Sequence, residues 1–207
     1  MGKFSDDGHW WWDGTTWIAT AQVVLPQLPP TEFERSGKLK IARLRMRQAQ
    51  PLLVVNTTVP PLALITGVPL IFVMWPAMRG YRSWMVEQLA LATDFLLGPD
   101  EPMLAGEGTL MGGDDLEPDL AVAVTAAHVL VFRIDSRGEQ PRWIVLAGRP
   151  TDVKMELRTG PFGLGSALIV SRGTCQWTIQ GQPGVFMPKP VFDAWRQANK
   201  GCSIIQT

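Results

Sequence analysis

Between Arg47 and Arg79 the chain carries no charged side chain, and Pro51, Pro60, Pro61, Pro69 and Pro76 punctuate that stretch. A run of this length exceeds the roughly 20 residues needed to cross the hydrocarbon core of a bilayer. A buried core segment is the competing explanation, but a domain of about 100 residues rarely needs so long an uncharged stretch. The most apolar part, Leu62 to Met78, contains Leu64, Ile65, Val68, Leu70, Ile71, Phe72 and Val73, with Trp75, Tyr81 and Trp84 placed as an interfacial aromatic belt. Each interior proline removes a backbone donor and kinks or breaks a helix. A full crossing and a re-entrant pair of half-helices turning at Pro60 and Pro61 therefore both remain open. Upstream, Lys38, Lys40, Arg43, Arg45 and Arg47 crowd a short segment, where each cation near an anionic headgroup contributes about 1 kcal/mol. With Arg79 and Arg82 at the far end, these residues make up the expected membrane-interface set, with membrane lipid as a partner.

The composition agrees with partial avoidance of water. Charged residues make up 18% of the chain, against roughly 25% in an ordinary soluble domain. Lys and Arg total 19, as do Asp and Glu, so no cationic surplus exists for capture of nucleic acid. Two cysteines, Cys175 and Cys202, exclude a disulfide-dense scaffold. With only His9 and His128 as further soft ligands, neither a metal site nor a cofactor is expected. The first residues lack the basic, apolar, small-residue order of a cleaved signal peptide, so the start is expected to be mature.

Five zones follow: residues 1–24 are rich in tryptophan, 25–50 proline-rich and then basic, 51–79 the hydrophobic membrane segment, 80–98 an amphipathic helix, and 99–207 a mixed globular domain. In the first, Asp13-Gly14 separates Trp10-Trp11-Trp12 from Thr15-Thr16-Trp17. An Asp-Gly pair between two strand-favouring runs predicts a type I′ β-hairpin, whose central residues need positive φ. The stretch Asp7-Gly8-His9-Trp10-Trp11-Trp12-Asp13-Gly14-Thr15-Thr16-Trp17 resembles the short tryptophan-rich hairpin domain found at the ends of many bacterial membrane proteins, a family with no established activity. Just downstream, Leu25-Pro26-Gln27-Leu28-Pro29-Pro30 is a polyproline II candidate. Aromatic surfaces bind such segments, so Trp10, Trp11, Trp12, Trp17, Pro26, Pro29 and Pro30 form the candidate protein-binding set. The tryptophans would clasp this proline stretch or a similar one from a partner; the plainer alternative is a stiff linker beside a self-packed cluster.

Tyr81, Trp84, Met85, Gln88, Leu89, Ala92, Phe95 and Leu96 recur at helical spacing until Gly98-Pro99 stops the helix. After Asp100 the period falls to two. Strands are expected near Met103 to Leu110, Leu120 to Thr125, Val129 to Ile134, Trp143 to Ala147, Val153 to Leu157, Leu168 to Ser171 and Cys175 to Ile179. A final helix carries Phe192, Trp195 and Ala198 on one side. Seven strands and a helix resemble the bacterial pleckstrin-homology-like domains, the closest stretch being Ala121 to Phe132. That resemblance implies an α+β fold: a seven-stranded antiparallel barrel plugged by a C-terminal helix, here preceded by the membrane segment and the Trp-rich hairpin. It also implies a binding or assembly module, with a cytoplasmic barrel.

Charge counting puts the flank at Arg35 to Arg47 in the cytoplasm. A single crossing would then place the barrel outside; a re-entrant segment keeps both ends cytoplasmic, and the resemblance favours the latter. Other candidates have plain explanations. Gly160 to Gly165 lacks the following helix of a phosphate loop, and Asp114, Asp115, Glu117 and Asp119 do not match an EF-hand. Arg133, Arg137, Arg142, Arg149, Lys154, Arg158 and Arg172 could place cations on barrel loops, where headgroups bind in this superfold, although solubility alone explains them. His128 has no nearby nucleophile and no Gly-x-Ser-x-Gly elbow exists, so no enzymatic activity is expected. The resulting expectation is a membrane-anchored adaptor or scaffold that binds protein or lipid. The alternative is a structural or assembly subunit of a larger bacterial membrane complex.

Overall fold

In the computed structural model the chain forms two compact units, residues 1–29 with 85–207, and residues 30–84. The structure describes residues 2–42, 44, 60–109, 120–135, 140–159, 166–180 and 186–204.

The larger unit contains three antiparallel sheets. β1 (Lys3–Phe4), β2 (Trp10–Trp12) and β3 (Trp17–Ala19) form the first, in that order. β4 (Ala105–Gly108), β5 (Leu120–Val124), β6 (Val129–Asp135) and β7 (Gln140–Gly148) form the second as a meander. β8 (Lys154–Thr159), β9 (Ser166–Arg172) and β10 (Cys175–Gln180) form the third.

All side chains of β5 are buried, the mark of a strand covered on both faces. Alternate residues explain the two layers. Val122, Val124, Val129 and Val131 join Val153, Met155, Leu168, Val170 and Ile179 in one apolar core between the second and third sheets. On the opposite face Ala121, Ala123, Leu130 and Phe132 are also fully buried. The last part of α2 (Pro60–Leu97) packs here: Cβ atoms added at Gly106 and Gly108 would meet Leu89 Cδ1 at 3.1 Å and Met85 Cγ at 3.3 Å. Met85, Leu89, Ala92 and Leu96 are buried at the spacing of one helix face. Gly98, at φ 84°, ends the helix, its N–H bonded to Asp94 O at 2.9 Å. The C-terminal helix α3 (Lys189–Ile204) buries Val191 and Ala198, and Trp195 Nε1 donates to Pro150 O and Val153 O at 3.0 and 3.1 Å.

The expected seven-stranded barrel does not form. Each of the seven runs is a strand, but they divide four and three. Among the described residues β7 does not pair with β8, nor β10 with β4. Closure requires an uninterrupted ring of paired strands. Part of β7's outer edge is taken instead by the chain's own arm, where Val24 bridges Trp143 and Leu25 N–H bonds Arg142 O at 2.8 Å.

The smaller unit opens on α1 (Glu32–Arg35), whose Thr31 hydroxyl accepts from Glu34 N–H at 3.2 Å while the Glu34 carboxylate accepts from Thr31 N–H at 2.9 Å, a full capping box. Residues 38–42 are helical, with Leu39 and Ala42 buried and Lys38 and Lys40 exposed. A Cβ at Gly80 would lie 2.7 Å from Phe33 Cζ, so the missing side chain admits that ring against α2.

The expected membrane segment and cell-membrane location are overturned as well: among the described residues no helix is long and apolar enough to cross a membrane. The helix through this region does not end at Arg79. α2 runs on to Leu97 through Arg82, Glu87 and Asp94, and its interior prolines Pro69 and Pro76 do not break it. Tyr81 and Trp84, placed by the sequence at an interface with lipid, are buried in the protein with ring centroids 5.0 Å apart. Arg79 is exposed and Arg82 half-buried, while Arg43, Arg45, Arg47 and the side chain of Trp75 lie outside the described residues.

Leu168 stands in the middle of the larger unit's core. Leu168→Ala is expected to lower the unfolding free energy by about 3 kcal/mol, measured by urea denaturation monitored by circular dichroism.

Candidate functional site

The tryptophan-rich segment builds a small sheet with two unlike faces. Strand pairing sets Lys3 opposite Trp12, Phe4 opposite Trp11, Trp11 opposite Ile18 and Trp12 opposite Trp17. Because side chains alternate, Phe4, Trp11 and Ile18 share one face and Lys3, Trp10, Trp12 and Trp17 the other. The inner face docks on the larger unit. Trp11 is 7% exposed, and its indole N–H donates to Leu96 O at 3.2 Å, a carbonyl from the last turn of α2. Its ring lies 6.1 Å from Phe95, and Phe4 lies 5.8 Å from His128.

Polar ties fix the same docking. Arg172 at the end of β9 donates through Nη1 to Ala147 O at 2.7 Å and through Nη2 to Asp7 O, joining the third sheet, β7 and the β1–β2 turn. Arg149 pairs with Asp6. Gly8, at φ 62°, passes so close to β7 that a Cβ there would fall 2.0 Å from Ala147 O. Thr20 Oγ1 donates to Gly8 O at 2.8 Å, anchoring the return strand to the same turn.

The loop joining β2 and β3 differs from the expected two-residue turn. Trp12 and Trp17 are the last pair, leaving Asp13 to Thr16 as a four-residue loop. Asp13 Oδ1 accepts from Thr15 N–H at 2.6 Å and Thr16 N–H at 2.7 Å, the local capping that makes Asp a turn former. These bonds, that from Thr16 first, bring its carboxyl down to about 2.

The outer face is where the exposed aromatic surface lies. Trp10 and Trp17 are 48% and 45% exposed. The rings of Trp12 and Trp17 lie 5.5 Å apart, and Lys3 Nζ stands 5.9 Å from the Trp17 ring. Trp10, Trp17 and Ser5 line an open hollow of about 360 Å³. On the other side of Trp10 runs a larger groove of about 840 Å³, between the hairpin and the adjoining ends of β7, β9 and β10, with Val145 and Trp177 among its lining residues.

The sequence-stated protein-binding residues therefore separate. Trp11 is an anchor; Trp10, Trp12 and Trp17 share the outer face. In the proline stretch Leu25 and Leu28 are buried, whereas Pro26, Pro29 and Pro30 are exposed. β1 is the element that sequence reading missed, because two residues carry no periodic signal. Ser5, which follows it, makes one wall of the hollow.

His128 belongs to a polar tie. Its Nδ1 lies 2.8 Å from Glu101 Oε1, and Thr125 Oγ1 donates to the same carboxylate oxygen. Burial opposes ionisation of Glu101, but the hydrogen bonds from His128 and Thr125 outweigh it and hold the carboxyl below its ordinary value. The cluster fastens the β5–β6 turn to the segment after α2. Among the described residues no group of metal-ligating side chains converges. Several of the cations noted in the sequence are engaged: Arg158 pairs with Glu156, Arg133 stands 5.6 Å from the Trp143 ring, and Arg149 and Arg172 hold the hairpin. Cys175 is an exposed free thiol. The acidic run Asp114 to Asp119, Arg137, the Gly160 to Gly165 segment and the side chain of Cys202 lie outside the described residues.

Comparison of the chain with protein-family models and with curated proteins finds no match in either.

Gly8→Ala is expected to loosen the hairpin, through both the clash with Ala147 O and the positive φ. Hydrogen exchange should rise across residues 3–19 while β5 and β6 stay protected. Glu101→Gln should cost about 1–2 kcal/mol at pH 7. Because folding depresses the Glu101 pKa, its contribution is complete above the unfolded value near 4.5 and is lost as pH falls through the folded one. The stability gap between wild type and variant, measured by denaturation from pH 7 to pH 3, should therefore close on the acid side.

Proposed function

We propose that this protein is a non-enzymatic binding module, and that the outward tryptophan face of its N-terminal sheet takes a proline-rich, extended segment of a protein partner. The observation that carries the reading is the division of labour among the tryptophans. Trp11 holds the sheet in place, while Trp10 and Trp17 stand about half exposed around a hollow. Leaving two large indoles in water forgoes their burial, and rigid aromatic side chains offer contact area at little entropic cost. Polyproline II ligands suit such a surface. Their backbone is already extended and loses little freedom on docking, and their rings pack flat against indoles.

The scaffold supports this role. The sheet is fixed by Gly8, Arg172, Arg149 and Trp11, so its outer face is presented as a rigid platform. Ser5 Oγ accepts from Trp10 N–H at 3.0 Å, positioning the wall of the hollow. The resemblance to the tryptophan-rich hairpin domain brings no activity with it, so the reading rests on these side chains.

The test is titration of an oligoproline peptide into the full chain, followed by tryptophan fluorescence. Saturable binding is expected, absent with a Gly-Ser peptide of the same length. Trp10→Ala and Trp17→Ala should each weaken binding by about tenfold or more, with thermal melting showing that both variants remain folded. No response to the peptide, or unchanged affinity in both variants, would refute the reading.

A further inference from the structure

The segment after the hairpin has a burial pattern of its own. Leu25 is buried, Pro26 and Gln27 are exposed, Leu28 is buried, and Pro29 is exposed again. Burial every third residue is the period of a polyproline II helix, which repeats in three residues. The arm is pinned at its start by the bond from Leu25 N–H to Arg142 O at 2.8 Å and by the Val24 bridge to Trp143. Leu25 and Leu28 face inward, and Pro26 and Pro29 form a ridge facing solvent. The chain thus displays both an outward tryptophan face and, a few residues later, an outward proline ridge with the three-residue burial period of the helix such a face selects.

We propose that the occupant of the tryptophan face is the Pro26–Pro29 ridge of a second copy of this chain. The proposal rests on the reading of that face as a proline-binding surface and adds the partner. Two observations favour a second copy over the chain's own arm. Leu25 and Leu28 already fasten the arm to the body, and the hollow on the tryptophan face is lined by Ser5, Trp10 and Trp17, with no proline among its walls. Charge agrees as well: Lys3 stands on the tryptophan face, and the ridge runs directly into the exposed Glu32. Each copy owns one face and one ridge, so the proposal takes the form of a two-fold pair in which both contacts are made at once, the closed arrangement commonest among homo-oligomers.

The experiment is sedimentation velocity on the full chain over a wide concentration range, at low and at raised salt. A monomer–dimer equilibrium that weakens with salt is expected. A Trp10→Ala/Trp17→Ala variant and a Pro26→Ala/Pro29→Ala variant should each dimerise at least about tenfold more weakly, with thermal melting showing both folded. Mixing the two variants should recover part of the association, because one intact face then meets one intact ridge. A wild-type chain that stays monomeric while still binding the oligoproline peptide overturns this inference and leaves the peptide-binding reading standing. A dimer indifferent to both double substitutions, or a mixture that fails to recover, overturns it too. Failure of the peptide itself to bind removes the reading underneath.

Discussion

Burial of both faces of the four-stranded sheet is the constraint on which the larger unit depends. A sheet covered on one side alternates apolar and polar residues, but β5 cannot, since one face packs on the third sheet and the other against α2. Small residues on the helix side, Gly106, Gly108, Ala121 and Ala123, let the helix come close, while the valines on the other side fill the deeper core. Once α2 is seated there, its final carbonyls lie where the N-terminal sheet can reach them.

That sheet could not stand alone. Strands of two or three residues are marginal in water, and here they are held by contacts distributed along the sequence: an indole on Leu96, a guanidinium bridging Ala147 and Asp7, and a glycine turn laid against β7. The arrangement separates support from display. Residues that dock the sheet are buried or paired, whereas those turned outward make contacts only within the sheet's outer face, which leaves that face open to a partner.

Much of this was legible in the residues. Short apolar runs set between turn residues located each strand described after Asp100, Gly98-Pro99 marked the end of α2, and the four tryptophans around Asp13-Gly14 marked paired strands. What could not be read was association. Alternation says which residues share a face but not which edges meet, so an open pair of sheets and a closed barrel look alike in sequence. The uncharged stretch misled for a related reason: hydropathy reports avoidance of water without naming what replaces it, and Tyr81 and Trp84 found protein neighbours rather than lipid. Within the hairpin, the sequence marks four tryptophans alike. Alternation sets Trp11 apart from Trp10 and Trp12, but docking on Leu96 and Phe95, some 85 residues away, decides that Trp11 is the one turned inward.

The arm laid along β7 has a bearing on solubility. An open sheet edge is a template for another strand. At the third sheet, the edge strand β8 is marked with Lys154, Glu156 and Arg158, the charges that discourage such pairing. β7 carries Pro141 and Arg142 at its start, but from there reads Trp143-Ile144-Val145-Leu146, four strand-favouring apolar residues in a row. Val24 and Leu25 occupy part of that edge and the hairpin turn lies against Ala147, so the N-terminal segment covers positions at which a foreign strand would pair. Loss of the first two dozen residues would uncover part of this edge and leave its backbone groups open to pairing with another strand.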